Sequence, residues 1–279
     1  MRPLPNAGGL SRRLSTGAPL SVGSPRRAGT ARVMHPASGV RAPLQVKMVG
    51  AASWNGQPQS GTELAREALR AAGVARVAQE QGWRVQDLGD IKFAAPSATA
   101  PPPQQPGLMR NSAMVGEGCE RLSIAVREAA VTGSFVLNMG GDHSVAAGSI
   151  PGMLAARPDL GVIWVDAHAD ISTPDSSPTG NAHGMPLAVL LQLGVDATSV
   201  RGFEWLGSPS RPRLCPSSPV YIALRDLDAG EKAIIREAGI LAFTMSDIDR
   251  LGIGGASSMV TGAIFSYARR STAMAMLPY

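Results

Sequence analysis

From Gln45 onward the chain alternates short apolar runs with amphipathic stretches, so strands and helices must take turns along it. That alternation is the habit of an α/β domain built around a mostly parallel sheet. The runs predict strands over 46–50, 84–88, 135–139, 161–165, 220–224 and 241–244. Between them the spacing predicts helices over 114–131, 145–156, 185–193 and 231–237, preceded by one that Thr62 caps and that runs through Leu64, Ala65, Ala68 and Leu69. The proline-rich stretch 94–107 must be a loop, because proline neither donates to a strand ladder nor continues a helix. No internal repeat is visible, and one domain accommodates the whole alternation.

Composition removes several alternatives. With 279 residues, 44% of them hydrophobic and 17% charged, the chain is long enough for one sizeable core and too apolar to be disordered throughout. Two cysteines, Cys119 and Cys215, build neither a disulfide framework nor a zinc pattern. No apolar run approaches the length of a membrane span, so no membrane partner is expected. The net charge of +5 invites a nucleic-acid reading only until its location is examined. Residues 1–47 hold eight bases and no acid, and the first carboxylate is Glu63. Removing those eight from 26 bases leaves 18 against 21 acids, a body charge of −3, and no nucleic-acid partner is expected.

Residues 1–44 therefore read as a leader, Arg- and Ser-rich, free of acids and lacking the apolar segment of a secretory signal. This is the composition of an organellar transit peptide, expected to be disordered. A mitochondrion is the first expectation and a plastid the alternative, with a cytoplasmic protein following if the leader does not function. His35 belongs to this leader.

The other three histidines gather at the ends of predicted strands. Val136-Leu137-Asn138-Met139 gives way to Gly140-Gly141-Asp142-His143-Ser144, and Val162-Ile163-Trp164-Val165 to Asp166-Ala167-His168-Ala169-Asp170. In open α/β sheets ligands bind beyond the carboxyl ends of the strands, so neighbouring strands would aim both clusters at one crevice. An extended segment sends residues i, i+2 and i+4 to one face, so Asp166, His168 and Asp170 are expected to converge. With His143 they make a nitrogen and oxygen set without sulfur, suited to manganese, iron or zinc and to a two-ion site that generates hydroxide.

GGDHS at 140–144, DAHAD at 166–170 and TGNAHGMP at 179–186 together resemble the arginase branch of the ureohydrolases. The likeness extends over residues 46–254 through VGAASWNGQPQSG, VYIALRDLDAGE at 220–231 and SDIDRLGIG at 246–254. It implies a three-layer α-β-α fold with a mostly parallel sheet, and hydrolysis of L-arginine to L-ornithine and urea by a hydroxide held between two Mn²⁺ ions. His143, Asp166 and Asp170 then match ligands of one ion, with Asp166 bridging and His168 serving the second. His183 matches the proton-handling histidine. Ser172, Thr179 and Asn181 match the substrate's α-carboxylate contacts, with His168 also against substrate, and Asp228 with Glu231 the α-amino contacts. The family further implies a homo-oligomer, trimeric or hexameric.

This sequence departs from the family pattern in three places. Ser172 stands where arginases usually have Asn, and Thr179 where they usually have Ser; the altered reach of those donors keeps an agmatinase-like enzyme as an alternative. The larger departure follows Asp249, after which there is no Asp, Glu or His. Family members carry there a Ser-x-Asp-x-Asp-x-x-Asp-Pro motif whose first two Asp residues complete both metal shells. The expectation is an arginase-like domain over 45–254 lacking its C-terminal strands, a divergent tail over 255–279, and weak binding of the second ion. Such a chain would be impaired as an enzyme, or would act without catalysis by associating with full-length subunits.

Overall fold

A computed structural model describes residues 45–94 and 107–274, with side chains described as far as residue 262. The leader expected over 1–44 and most of the proline-rich loop lie outside the described residues. Six parallel strands form two three-stranded sheets. The first has β1 (Gln45–Ala51) between β2 (Arg84–Ile91) and β3 (Phe135–Met139). In the second, β5 (Pro219–Leu224) lies between β4 (Val162–Val165) and β6 (Leu241–Thr244).

Side-chain alternation on these strands explains the layering. On one face of the first sheet Val46, Met48, Leu137 and Met139 pack against Val74, Ala75 and Ala78 of α2 (Val74–Glu80). On the other face Val49, Ala51 and Val136 meet Leu122 and Val126 of α3 (Ser112–Ala130) and Met153 of α4 (Ala146–Ala156). The second sheet repeats the scheme. Val162, Trp164 and Tyr221 point toward Leu187, Leu190 and Leu191 of α5 (Pro186–Leu191) and toward Ile234 and Ile235 of α6 (Ala229–Ala238). Val220, Ile222 and Phe243 point the opposite way, toward Ile248 and Val260 of α7 (Met245–Met274). Each sheet thus has helices on both faces, the three-layer α-β-α arrangement expected of strands buried on two sides.

Several boundaries move. Thr62 does not cap the first helix: it lies in a 3-10 turn, Thr62–Leu64, and its hydroxyl donates to the Ser53 carbonyl, while α1 is Ala65–Ala71. β2 runs on to Ile91 through residues too polar to read as strand, because Asp90 and Ile91 pair with Gly50 and Ala51 of β1, while Arg66 and Arg70 of α1 pair with Asp87 and Asp90. α5 stops at Leu191, where Gln192 takes a left-handed conformation, φ 54°. Beyond residue 254 the chain is still helical, and Val260, 1% exposed, covers a face of the second sheet while Met259 stays exposed. Among the described residues no helix is long and apolar enough to cross a membrane.

Candidate metal centre

The site begins where β3 gives out. Gly140 and Gly141 lead into a 3-10 turn, His143–Val145, and a Cβ on Gly141 would fall 1.8 Å from the Ser53 carbonyl oxygen, so only glycine fits that close backbone approach. Asp142 caps the turn by accepting from Ser144 N–H at 2.9 Å. This places the His143 imidazole over the turn that follows β4. Its Nδ1 lies 2.7 Å from Asp170 Oδ2 and 2.9 Å from Asp166 Oδ2. One ligand atom from each of His143, Asp166 and Asp170 lies within 4.8 Å of the others. The hydrogen bond to Asp170 raises the His143 pKa above its usual value, against the opposing effect of burial. A metal ion held by these three groups would take the place of any proton on His143 Nδ1.

His168 does not join this group, and the expected i, i+2, i+4 convergence holds only for Asp166 and Asp170. Residues 166–168 bend instead of continuing β4. The Ala167 carbonyl accepts from both Arg225 N–H and Asp226 N–H, His168 N–H folds back onto Asp166 Oδ1 at 3.1 Å, and Asp170 takes a left-handed φ of 49°. The His168 ring consequently stands to one side, Nδ1 3.6 Å from Asp166 Oδ1 and Nε2 3.2 Å from Asp226 Oδ2.

An open polar pocket continues from the cluster. His143, His168, Asp170, Ser172, Thr179, Asn181, His183 and Glu231 all line it, so most of the side chains singled out in the sequence share one cavity. His183 is held by its Nδ1, 2.8 Å from the Gly56 carbonyl oxygen. Ser172 is buried, and its N–H donates to the Gly184 carbonyl. Thr179 turns its hydroxyl oxygen toward Asn181 N–H, and Asn181 Oδ1 accepts from Arg110. Burial raises the Glu231 pKa. Asp228 is placed differently: its carboxylate accepts from Glu231 N–H at 2.8 Å and Glu231 Oε2 accepts from Asp228 N–H at 3.3 Å, a capping box at the start of α6. Asp228 does not line the pocket. The sequence reading passed over Gln57, Thr62 and Ser177, which do. Ser177 sits in the same loop as Thr179, so loop membership was the available signal.

Comparison with known proteins places this architecture. Residues 44–270 match the arginase family. Arginase-1 of Rattus norvegicus is 40% identical over 213 residues, which cover 76% of this chain and 64% of that protein. The chain thus spans less than two thirds of that relative's length. Among solved structures, arginase from Bacillus caldovelox superposes with a TM-score of 0.69 at 35% identity, covering 81% of this chain and 72% of that one. The Entamoeba histolytica arginase in complex with L-ornithine also gives 0.69, at 28% identity and the same coverage. Shared sequence over most of the chain, shared layering and a His-Asp-Asp cluster at the strand ends make this chain a member of the arginase family.

Proposed function

We propose that this chain hydrolyses L-arginine to L-ornithine and urea with manganese as its metal. The observation that carries the proposal is the His143-Asp166-Asp170 cluster opening into a pocket that His183 also lines. One imidazole nitrogen and two carboxylate oxygens with no thiolate suit Mn²⁺, so the donors present fit the ion. Such an ion, when bound, lowers the pKa of water and supplies a nucleophile at neutral pH.

The remaining chemistry belongs to the side chains. The carbonyl of Gly56 only accepts, so His183 carries its proton on Nδ1 and keeps Nε2 for proton transfer to the departing amine. Ser172, Thr179 and Asn181 supply hydroxyl and amide donors for the substrate α-carboxylate, and buried Glu231 supplies a carboxylate for its α-amino group. Asp228 supports Glu231 by capping its helix. His168, with Asp166, would hold a second ion. Two dications bring four positive charges, whereas Asp166 and Asp170 offer two negative ones among the described residues, so a second ion should be held more weakly than the first. The acid-free basic leader supports delivery to a mitochondrion, and the family supports a homo-oligomer.

The purified chain assayed for urea from L-arginine with and without Mn²⁺ tests the reading. Metal-dependent turnover, lost in Asp170→Asn, is the expected result, with activity rising in two steps as Mn²⁺ is added. No turnover of arginine at any Mn²⁺ concentration refutes the substrate, and two ions bound with equal affinity refute the weak second ion.

A further inference from the structure

Among the side chains lining the pocket is a carboxylate with no part in the chemistry above. Asp142 is 3% exposed. Capping the turn after β3 uses only its Oδ1, which accepts from Ser144 N–H. Its Oδ2 reaches back 86 residues to accept from Gly56 N–H at 3.1 Å, and it also accepts from the Ser53 hydroxyl at 3.4 Å. The Asp142 N–H donates in turn to the Ser53 carbonyl at 2.9 Å. The segment 53–56 after β1 is therefore fastened to the turn after β3 from both directions.

The opposite side of Gly56 holds His183. The Gly56 carbonyl accepts the His183 backbone N–H at 3.0 Å and its ring Nδ1–H at 2.8 Å. Little slack exists between the two ends. A Cβ on Gly56 would fall 2.4 Å from Asp142 Oδ1 and 2.8 Å from Ser144 Oγ. A buried carboxylate costs free energy unless its oxygens are satisfied, so removing the charge alters the whole arrangement.

We propose that Asp142 is a positioning residue: acting through Gly56, it holds the His183 imidazole as the Nδ1–H tautomer and leaves Nε2 for the pocket. This rests on the reading of His183 as the proton-transfer group, but the tautomer itself is independent of which substrate is cleaved. A histidine in the wrong tautomer keeps its place and loses its use as a proton carrier. In Asp142→Asn the amide keeps the shape but can offer an acceptor to only one of the two sides. With Oδ1 on Ser144 N–H, its NH₂ faces the Gly56 N–H, two donors opposed, and the Gly56 carbonyl shifts.

The test uses the full chain, metal-free and labelled with ¹⁵N at histidine, with the His183 signals identified by their loss in His183→Asn. Above the imidazole titration the wild type should show a protonated Nδ1 and a bare Nε2. Asp142→Asn should mix the tautomers and, with Mn²⁺ added, lower kcat for arginine at least about 10-fold with roughly unchanged KM. Ser53→Ala, which removes only one donor from Oδ2, should speed solvent exchange of the His183 Nδ1 proton, so the test survives if Asp142→Asn does not fold. A protonated Nε2 in the wild type overturns the proposal. So does an unchanged tautomer in folded Asp142→Asn, or an unchanged exchange rate in Ser53→Ala. A correct tautomer response in a chain that does not hydrolyse arginine would uphold the role of Asp142 and overturn the proposed substrate.

Discussion

Asp170 combines a positive φ, near-complete burial and a charge, three costs that persist only where the surroundings fix them. Part of that fixing comes from Tyr221, fully buried on β5, whose hydroxyl donates to the carbonyl of Ala169 at 2.8 Å. Burial raises the pKa of this phenol, so it stays a donor across the physiological range. Tyr221→Phe leaves the Ala169 carbonyl without that donor in the interior. The expected loss is about 1–3 kcal/mol of stability, read by denaturant unfolding with an unchanged slope. A weaker Mn²⁺ affinity should accompany it on the proposed reading of the site, since Ala169 is the residue before Asp170. A variant as stable as the parent would show that Ala169 finds another donor.

At the scale of elements, α1 is held to the edge strand β2 by charge. Arg70 Nε and Nη2 lie 2.7 and 2.9 Å from the two oxygens of Asp87, its Nη1 lies 2.6 Å from Asp90, and Arg66 Nε lies 2.6 Å from the other Asp90 oxygen. The hydrogen bond from Arg70 holds the Asp87 carboxyl below its ordinary value of 3.8. A carboxyl with a depressed folded-state pKa contributes stability that is present above 3.8 and lost as pH falls through the folded value. Asp87 is 41% exposed, so water screens the pair and the contribution is small. Arg70→Met should therefore cost no more than about 1 kcal/mol near pH 7, and the difference from the parent should vanish in acid below the Asp87 transition. Thermal unfolding of both proteins from pH 7 down to 3 measures this, and a difference that widens in acid would contradict it.

For the molecule as a whole, the His143-Asp166-Asp170 cluster joins the two sheets. His143 follows β3 in one sheet, whereas Asp166 and Asp170 follow β4 in the other. An ion bound there but not by the unfolded chain stabilises both at once. At 100 times its dissociation constant Mn²⁺ should add about 2.7 kcal/mol. The melting temperature should climb with Mn²⁺, fall back with a chelator, and stay flat in Asp170→Asn. An equal rise in that variant would place the ion elsewhere.

The alternation of apolar and amphipathic runs by itself determined the strands and the helices α1, α3, α4, α5 and α6 in their order, because period and strand length are local properties, whereas α2 and α7 were not read from it. The strand-end clusters were legible for the same reason: a buried run that stops at Asp-x-His-x-Asp announces its chemistry locally. What only the tertiary structure decided were the long-range partnerships. Peptide groups of Arg225 and Asp226 bend the segment after β4 and leave His168 outside the His143-Asp166-Asp170 group. A capping role takes Asp228 out of the pocket, and Asp142 fastens onto a glycine 86 residues earlier. Hydrogen bonds between residues far apart in the chain leave no periodic trace in sequence, so their geometry appears only once the layers have packed.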